Sequence, residues 1–81
     1  MQASQEMTHS DLVVRVQPSP QEAERRQLQR ALGEQPGVSR VQIYSRENAL
    51  VIVDFDPRAI SAQGILHCVQ AQGHVARLLG V

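Results

Sequence analysis

The order of hydrophobic and polar residues predicts four strands and two helices. Apolar and polar residues alternate over residues 11–17 and again over 38–44, which is the period of a strand with one buried face. Residues 49–55 are apolar on both faces, which favours a central place in a sheet. A last strand is predicted over 74–79. The two helices are marked by apolar residues at helical spacing, namely Leu28, Ala31 and Leu32 in the first and Ala62, Ile65, Leu66 and Val69 in the second.

Local signals predict where the helices begin and end. Ser19 suits the N-cap of the first helix, Pro20 suits its first turn, and Glu22 would complete a capping box. Gly33 is predicted to end this helix. The second helix carries the same two kinds of signal, at Ser61 and Gly73.

The order strand, helix, strand, strand, helix, strand defines the expected fold. It predicts an α+β, ferredoxin-like βαββαβ sandwich, with two helices on one face of a four-stranded antiparallel sheet. The first and third strands then lie in the centre. Residues 1–10 are polar and lack any period, so they are interpreted as a flexible tail before a domain over 11–81.

Composition excludes several classes of function. The 81-residue chain has no net charge, its basic residues are all arginines, and Tyr44 and Phe55 are its only aromatic residues. Neither a nucleic-acid surface nor a base-stacking platform is therefore expected. No nucleophile with its base and no phosphate loop can be assembled, so we expect no enzyme. No signal peptide and no membrane span are predicted, which favours a cytoplasmic protein without membrane insertion.

Three segments carry a resemblance to a known family. They read "LQRALGEQPGVSRVQI", "ALVIVDFDPRAIS" and "GILHCVQAQGH". In order and spacing they resemble the first helix, third strand and second helix of the heavy-metal-associated domain, the domain of copper chaperones and of N-terminal modules of heavy-metal P-type ATPases. The resemblance runs from residue 12 to about residue 79. It implies a role in metal transport or homeostasis and a partner such as a metal transporter.

The chain departs from this family at the metal-binding motif. The family's Cys-x-x-Cys pair would fall on Gln21 and Glu24. Soft Cu(I) is bound there by thiolates, and neither an amide nor a carboxylate replaces a thiolate toward Cu(I). A degenerate metal site is therefore expected.

Two explanations of Gln21 and Glu24 stay open. The loop is rebuilt as a helix cap, in which a first-turn carboxylate is favoured by the helix dipole. Alternatively the ligand set has changed, and Glu24 joins His74, which replaces the family's tyrosine in a loop expected beside this one. An oxygen–nitrogen pair suits Zn(II), Ni(II) or Co(II) better than Cu(I), but two ligands predict weak binding only.

The single cysteine has two interpretations as well. Cys68 is a small hydrophobic residue of the second helix, or it is a lone ligand or redox thiol. His67 is expected to be exposed. Joint ligation by His67, Cys68 and His74 is disfavoured, because adjacent helix positions point about 100° apart.

Three apolar residues point away from the predicted helices. By strand alternation Val13, Leu50 and Ile52 lie on the sheet face that no helix covers. They form either a tolerated patch or a surface for another protein domain or for self-association. The alternative function is therefore a protein-interaction module that uses the open sheet face instead of a metal site.

Overall fold

The computed structural model describes residues 9–80, and its six elements follow the predicted order. The strands form one antiparallel sheet in the order β2-β3-β1-β4. The ferredoxin-like α+β fold is confirmed, and so is the central position of the first and third strands. The elements are β1 (Ser10–Val16), α1 (Glu22–Gly33), β2 (Val38–Ser45), β3 (Ala49–Phe55), α2 (Ala62–Ala71) and β4 (Ala76–Gly80).

One face of the sheet forms the core. The inward residues of β1 and β3 are paired across the strands, with Leu12 opposite Val53 and Val14 opposite Val51. Burying each such side chain stabilises the fold by about 1.5–3 kcal/mol. No polar or charged residue within 9–80 is buried. The core consists of Leu12, Val14, Val16, Leu28, Leu32, Ala49, Val51, Val53, Phe55, Ile65 and Val69.

The first helix begins two residues later than predicted. Its N-cap is Gln21, not Ser19, and the Gln21 N–H donates to Glu24 Oε1 at 3.0 Å. The backbone is still extended at Gln21, with φ of −71° and ψ of 168°, so helical geometry begins only at Glu22. The capping carboxylate therefore comes from Glu24 instead of Glu22. The Ser19 hydroxyl contacts the β2–β3 turn instead, where it donates a hydrogen bond to the carbonyl of Arg46 at 2.7 Å.

The predicted end of α1 at Gly33 is confirmed in position. Gly33 is the last helical residue, and the C-cap is Glu34 in right-handed backbone. The glycine that needs its conformational freedom is Gly37, with φ of +89°. A Cβ at Gly37 would lie 2.6 Å from the Cβ of Ala59. This close approach, together with the Asp56 N–H bond to the Gly37 carbonyl at 2.8 Å, joins the α1–β2 turn to the end of β3.

The signals predicted for α2 are confirmed. The Ser61 Oγ accepts from the N–H of Gly64 at 3.0 Å, which caps the first turn. After the C-cap Gln72, Gly73 takes a φ of +93°, the left-handed position in which many helices end.

Strand boundaries shift slightly at both ends of the domain. Ser10, placed in the tail by the sequence, begins β1, while residues 1–8 and 81 lie outside the described residues. The last strand begins at Ala76, not at His74. His74 and Val75 lie in the preceding loop, and the Val75 carbonyl accepts from the Gln17 N–H at 3.0 Å just beyond the end of β1.

The turn after β3 is held by an aspartate–arginine pair. Asp56 Oδ1 accepts from the backbone N–H of Arg58 at 2.9 Å, and its two oxygens bind the Arg58 guanidinium at 3.2 and 3.1 Å. These hydrogen bonds hold the pKa of Asp56 below its usual range. The turn is therefore best held when Asp56 is ionised.

Gly37→Ala should destabilise the domain. A left-handed backbone costs a residue with a Cβ about 1–3 kcal/mol, and the overlap with Ala59 adds to this cost. Urea unfolding would measure the loss. Gly33→Ala is the matched control, because nothing lies within 4 Å of its Cβ position; it should be neutral or stabilising by up to about 1 kcal/mol. Equal midpoints for the two variants would contradict this account of the turn.

Candidate functional site

Two loops meet at one end of the sheet and form a small depression. The loop between β1 and α1 is tied to the loop between α2 and β4 by the bond from Gln17 to Val75. The depression has a volume of about 170 Å³. Its walls are Gln17, Pro18, Ser19, Pro20, Glu24, Gly73, His74 and Val75. The two residues proposed as a ligand pair, Glu24 and His74, therefore line one depression.

The β1–α1 loop is also fixed on its other side. Gln17 and Pro18 are joined by a cis peptide bond. The Ser19 N–H donates to the carbonyl of Glu47 at 3.3 Å, in addition to the bond from its hydroxyl to Arg46. The loop is thus bonded to a neighbouring turn on each side, which positions the start of α1.

Glu24 already has a structural role at this position. Its Oε1 accepts the N–H of the N-cap Gln21, and its carboxylate lies in the first helical turn, where negative charge is favourable. This geometry favours the explanation of Gln21 and Glu24 as a helix cap. Oε2 has no hydrogen-bond partner within residues 9–80, so one oxygen is free for another ligand.

His74 is half-buried and lines the same depression. Two titratable side chains, Glu24 and His74, therefore line the depression. Nowhere in residues 9–80 do three side chains of histidine, cysteine, aspartate or glutamate come together as a metal cluster. Metal binding by the pair stays a prediction.

The thiol lies outside this depression. Cys68 is half-buried on α2 and packs against the core, and burial raises the pKa of its thiol. It is therefore protonated at neutral pH, whereas metals bind the thiolate. Its neighbour His67 is exposed on α2.

The open face of the sheet carries a continuous apolar strip. Val13 pairs with Ile52 across β1 and β3, and Leu50 pairs with Tyr44 across β3 and β2. Leu50 is 39% exposed and Tyr44 is 53% exposed. Beside Leu50 the surface opens into a groove of about 500 Å³ that Arg15 also lines.

Two like-charge pairs flank this strip. Asp11 lies directly opposite Asp54 on β3, and Arg15 lies directly opposite Arg77 on β4. A hydrogen bond with the Asp54 side chain and then the Asp54 charge raise the pKa of Asp11. Sequence reasoning missed these pairs, because they depend on the register between strands, which alternation alone does not define.

Solved structures establish the fold of this chain. A copper-binding domain from HMA7, a P-type ATPase, matches with a TM-score of 0.75 at 22% identity, over 86% of this chain and 93% of that one. Oxidized MerP from Ralstonia metallidurans CH34 matches at 0.74 and 17% identity, over 86% and 96%. The N-terminal soluble domains of Bacillus subtilis CopA match at 0.68 and 19% identity, over 82% of this chain and 44% of that one. The chain therefore has the fold of heavy-metal-associated domains.

Comparison of the amino-acid sequence with known proteins identifies no relative of this chain. No protein-family model matches the chain, and no curated protein matches it. Among the described residues, no helix is long and apolar enough to cross a membrane.

Asp11→Asn should stabilise the isolated domain at neutral pH. The folded state raises the pKa of Asp11, so ionisation of this carboxyl costs folded-state stability as the pH rises through that pKa. The amide removes the repulsion from Asp54. The melting temperature at low micromolar concentration should therefore rise at about pH 7, and the gain should vanish near pH 3, where the aspartate is protonated.

Glu47→Gln is the matched control for this measurement. Glu47 is an exposed carboxylate in the β2–β3 turn, and its replacement should change stability by less than about 0.5 kcal/mol at either pH. A lower melting temperature for Asp11→Asn at neutral pH would contradict repulsion between Asp11 and Asp54.

Proposed function

We propose that this chain acts in heavy-metal homeostasis as a non-enzymatic domain whose metal site is degenerate. The observation that supports the proposal is the depression at the start of α1, which both Glu24 and His74 line. It lies where the resemblance places the metal-binding loop. The similar HMA7 domain is described as copper-binding, which supports a connection to metals.

Binding of Cu(I) at this depression is not expected. Gln21 and Glu24 supply an amide and a carboxylate, and Cys68 packs elsewhere with a protonated thiol. Hard oxygen donors suit Cu(I) poorly. The proposed cargo is therefore not the soft ion that a thiolate pair holds.

A borderline divalent ion fits the available donors better. Glu24 Oε2 and the His74 imidazole form an oxygen–nitrogen pair that suits Zn(II), Ni(II) or Co(II). Two protein ligands leave the other coordination positions to water, and Oε1 remains engaged by the helix cap. Binding is therefore weak. Weak binding suits a domain that assists a metal transporter or another protein domain, and it does not suit a protein that stores the metal.

A residue-by-residue titration tests this site. Zn(II) or Ni(II) should shift the amide resonances of residues 19–24 and 73–75 together, because the two loops share the depression. His74→Ala should abolish these shifts and leave the circular dichroism unchanged. Acidification should weaken the affinity, because protons compete with the metal for the ligand atoms.

His67→Ala is the matched control, because it removes an exposed imidazole from the neighbouring helix. The response at residues 19–24 should survive it. Shifts centred on His67, or no shifts with either ion, would exclude the proposed site.

A second candidate function rests on the open face of the sheet. The strip of Val13, Ile52, Leu50 and Tyr44 is contiguous and partly exposed. Contiguous apolar surface on central strands supports a protein-interaction module. This function needs no metal, so a titration in which Zn(II) and Ni(II) cause no shifts would not exclude it.

A further inference from the structure

We propose that the open sheet face binds the same face of a second copy of this chain, with the two copies related by a two-fold axis perpendicular to the strands. This inference rests on the second candidate function, the open face as an interaction surface. It names the partner and the register of the contact.

The like-charge pairs provide the first argument. Asp11 faces Asp54, and Arg15 faces Arg77, and like charges directly opposite each other destabilise a sheet. Arg40 lies opposite Asp54 on β2 but makes no ion pair with it. Within residues 9–80 the ion pairs are Arg26–Glu22 and Arg58–Asp56, and neither involves these pairs. Neither like-charge pair therefore forms an ion pair within residues 9–80, although Arg40 is a cross-strand neighbour of Asp54 and the charge of His9 acts on Asp11.

The spacing along β1 provides the second argument. Asp11, Val13 and Arg15 project from the same face of one strand, and the two charges are separated by about 13 Å. A two-fold axis that passes over Val13, in the plane between the sheets, places Asp11 of each copy on Arg15 of the other. Val13 and Ile52 then meet their own counterparts. Only the β1 charges face each other directly, because Asp54 on β3 and Arg77 on β4 lie on opposite sides of β1 and each comes one strand away from the Arg15 or Asp11 of the other copy.

The competing two-fold arrangement is disfavoured by the same charges. An axis parallel to the strands would place Asp11 on Asp11 and Arg15 on Arg15 of the second copy. Such juxtaposition of like charges is repulsive and disfavours this arrangement. The charges therefore select the antiparallel arrangement, in which the contact is isologous.

The size of the face limits the strength of the dimer. The four strands have five to eight residues, so the face measures about 22 by 19 Å, or roughly 420 Å² per copy. This is close to half of the roughly 800 Å² per partner of a standard interface. The dimer is therefore weak and concentration-dependent, and salt weakens it further by screening the charges.

Sedimentation velocity of the full chain tests the proposal. From micromolar to millimolar concentration the mass should rise from 9.0 kDa toward twice that value. Arg15→Asp alone and Asp11→Arg alone should each weaken the dimer at least about tenfold, since each places like charges in contact. An equimolar mixture of the two variants should restore it, because every facing pair is then opposite in charge.

Both variants are expected to fold. Asp11→Arg places a cation opposite Asp54, and Arg15→Asp places an anion opposite Arg77, so each relieves repulsion within the monomer. Arg26→Asp is the matched control. Arg26 lies on the exposed side of α1, where its loss should not change the dimer.

Three results would overturn the proposal. The first is a wild-type chain that stays monomeric at millimolar concentration, and the second is a dimer that neither Arg15→Asp nor Asp11→Arg weakens. The third is an equimolar mixture of these two variants that stays monomeric although each variant is folded. A monomer that still binds another protein through Ile52 would refute self-association and retain the interaction function. The metal titration, performed on monomeric Arg15→Asp, tests the depression at the start of α1 independently.

Discussion

One-sided burial of the two central strands governs this structure. The inward residues of β1 and β3 meet α1 and α2 in a single core, and every buried hydrophobic residue belongs to these four elements. A small domain buries only about 60% of the surface that its unfolded chain exposes, so it covers one face of the sheet and leaves the other open. Both candidate functions follow from this asymmetry. The helices direct their adjoining loops to one end of the sheet, and the outward residues of β1 and β3 remain exposed to a partner.

The loops at the start of α1 are held by hydrogen bonds of the protein itself. Gln21 and Glu24 stand one helical turn apart and are joined by the capping bond of 3.0 Å. The interaction that stabilises the helix start thus occupies the two positions at which the resemblance places cysteines. Bonds from Gln17 to Val75 and from Ser19 to the β2–β3 turn hold the loop independently of any ion. The same loops bring His74 and Glu24 into the lining of one depression, which is the basis for the proposed weak divalent site.

The fold was largely predictable from the sequence, and the details of the candidate sites were not. Alternation in β1 and β3 and the caps at Ser61 and Gly73 define elements through local spacing, which a sequence displays directly. The start of α1 was misplaced because Ser19 has a tertiary partner, Arg46, that outweighs its local capping preference. The pairing of Asp11 with Asp54 was missed because cross-strand register is a property of two segments together. That Glu24 and His74 line one depression likewise depends on tertiary packing.

The central claim is that this chain retains the heavy-metal-associated scaffold while a helix cap replaces its thiolate pair. Competition for Cu(I) against bicinchoninate, for the wild type and for the double variant Gln21→Cys/Glu24→Cys, tests it most directly. The wild type should leave Cu(I) with the probe. The double variant should withdraw it at one ion per chain, because two thiolates then face each other at the start of α1. Stoichiometric withdrawal by the wild type, or none by a folded double variant, would contradict the claim.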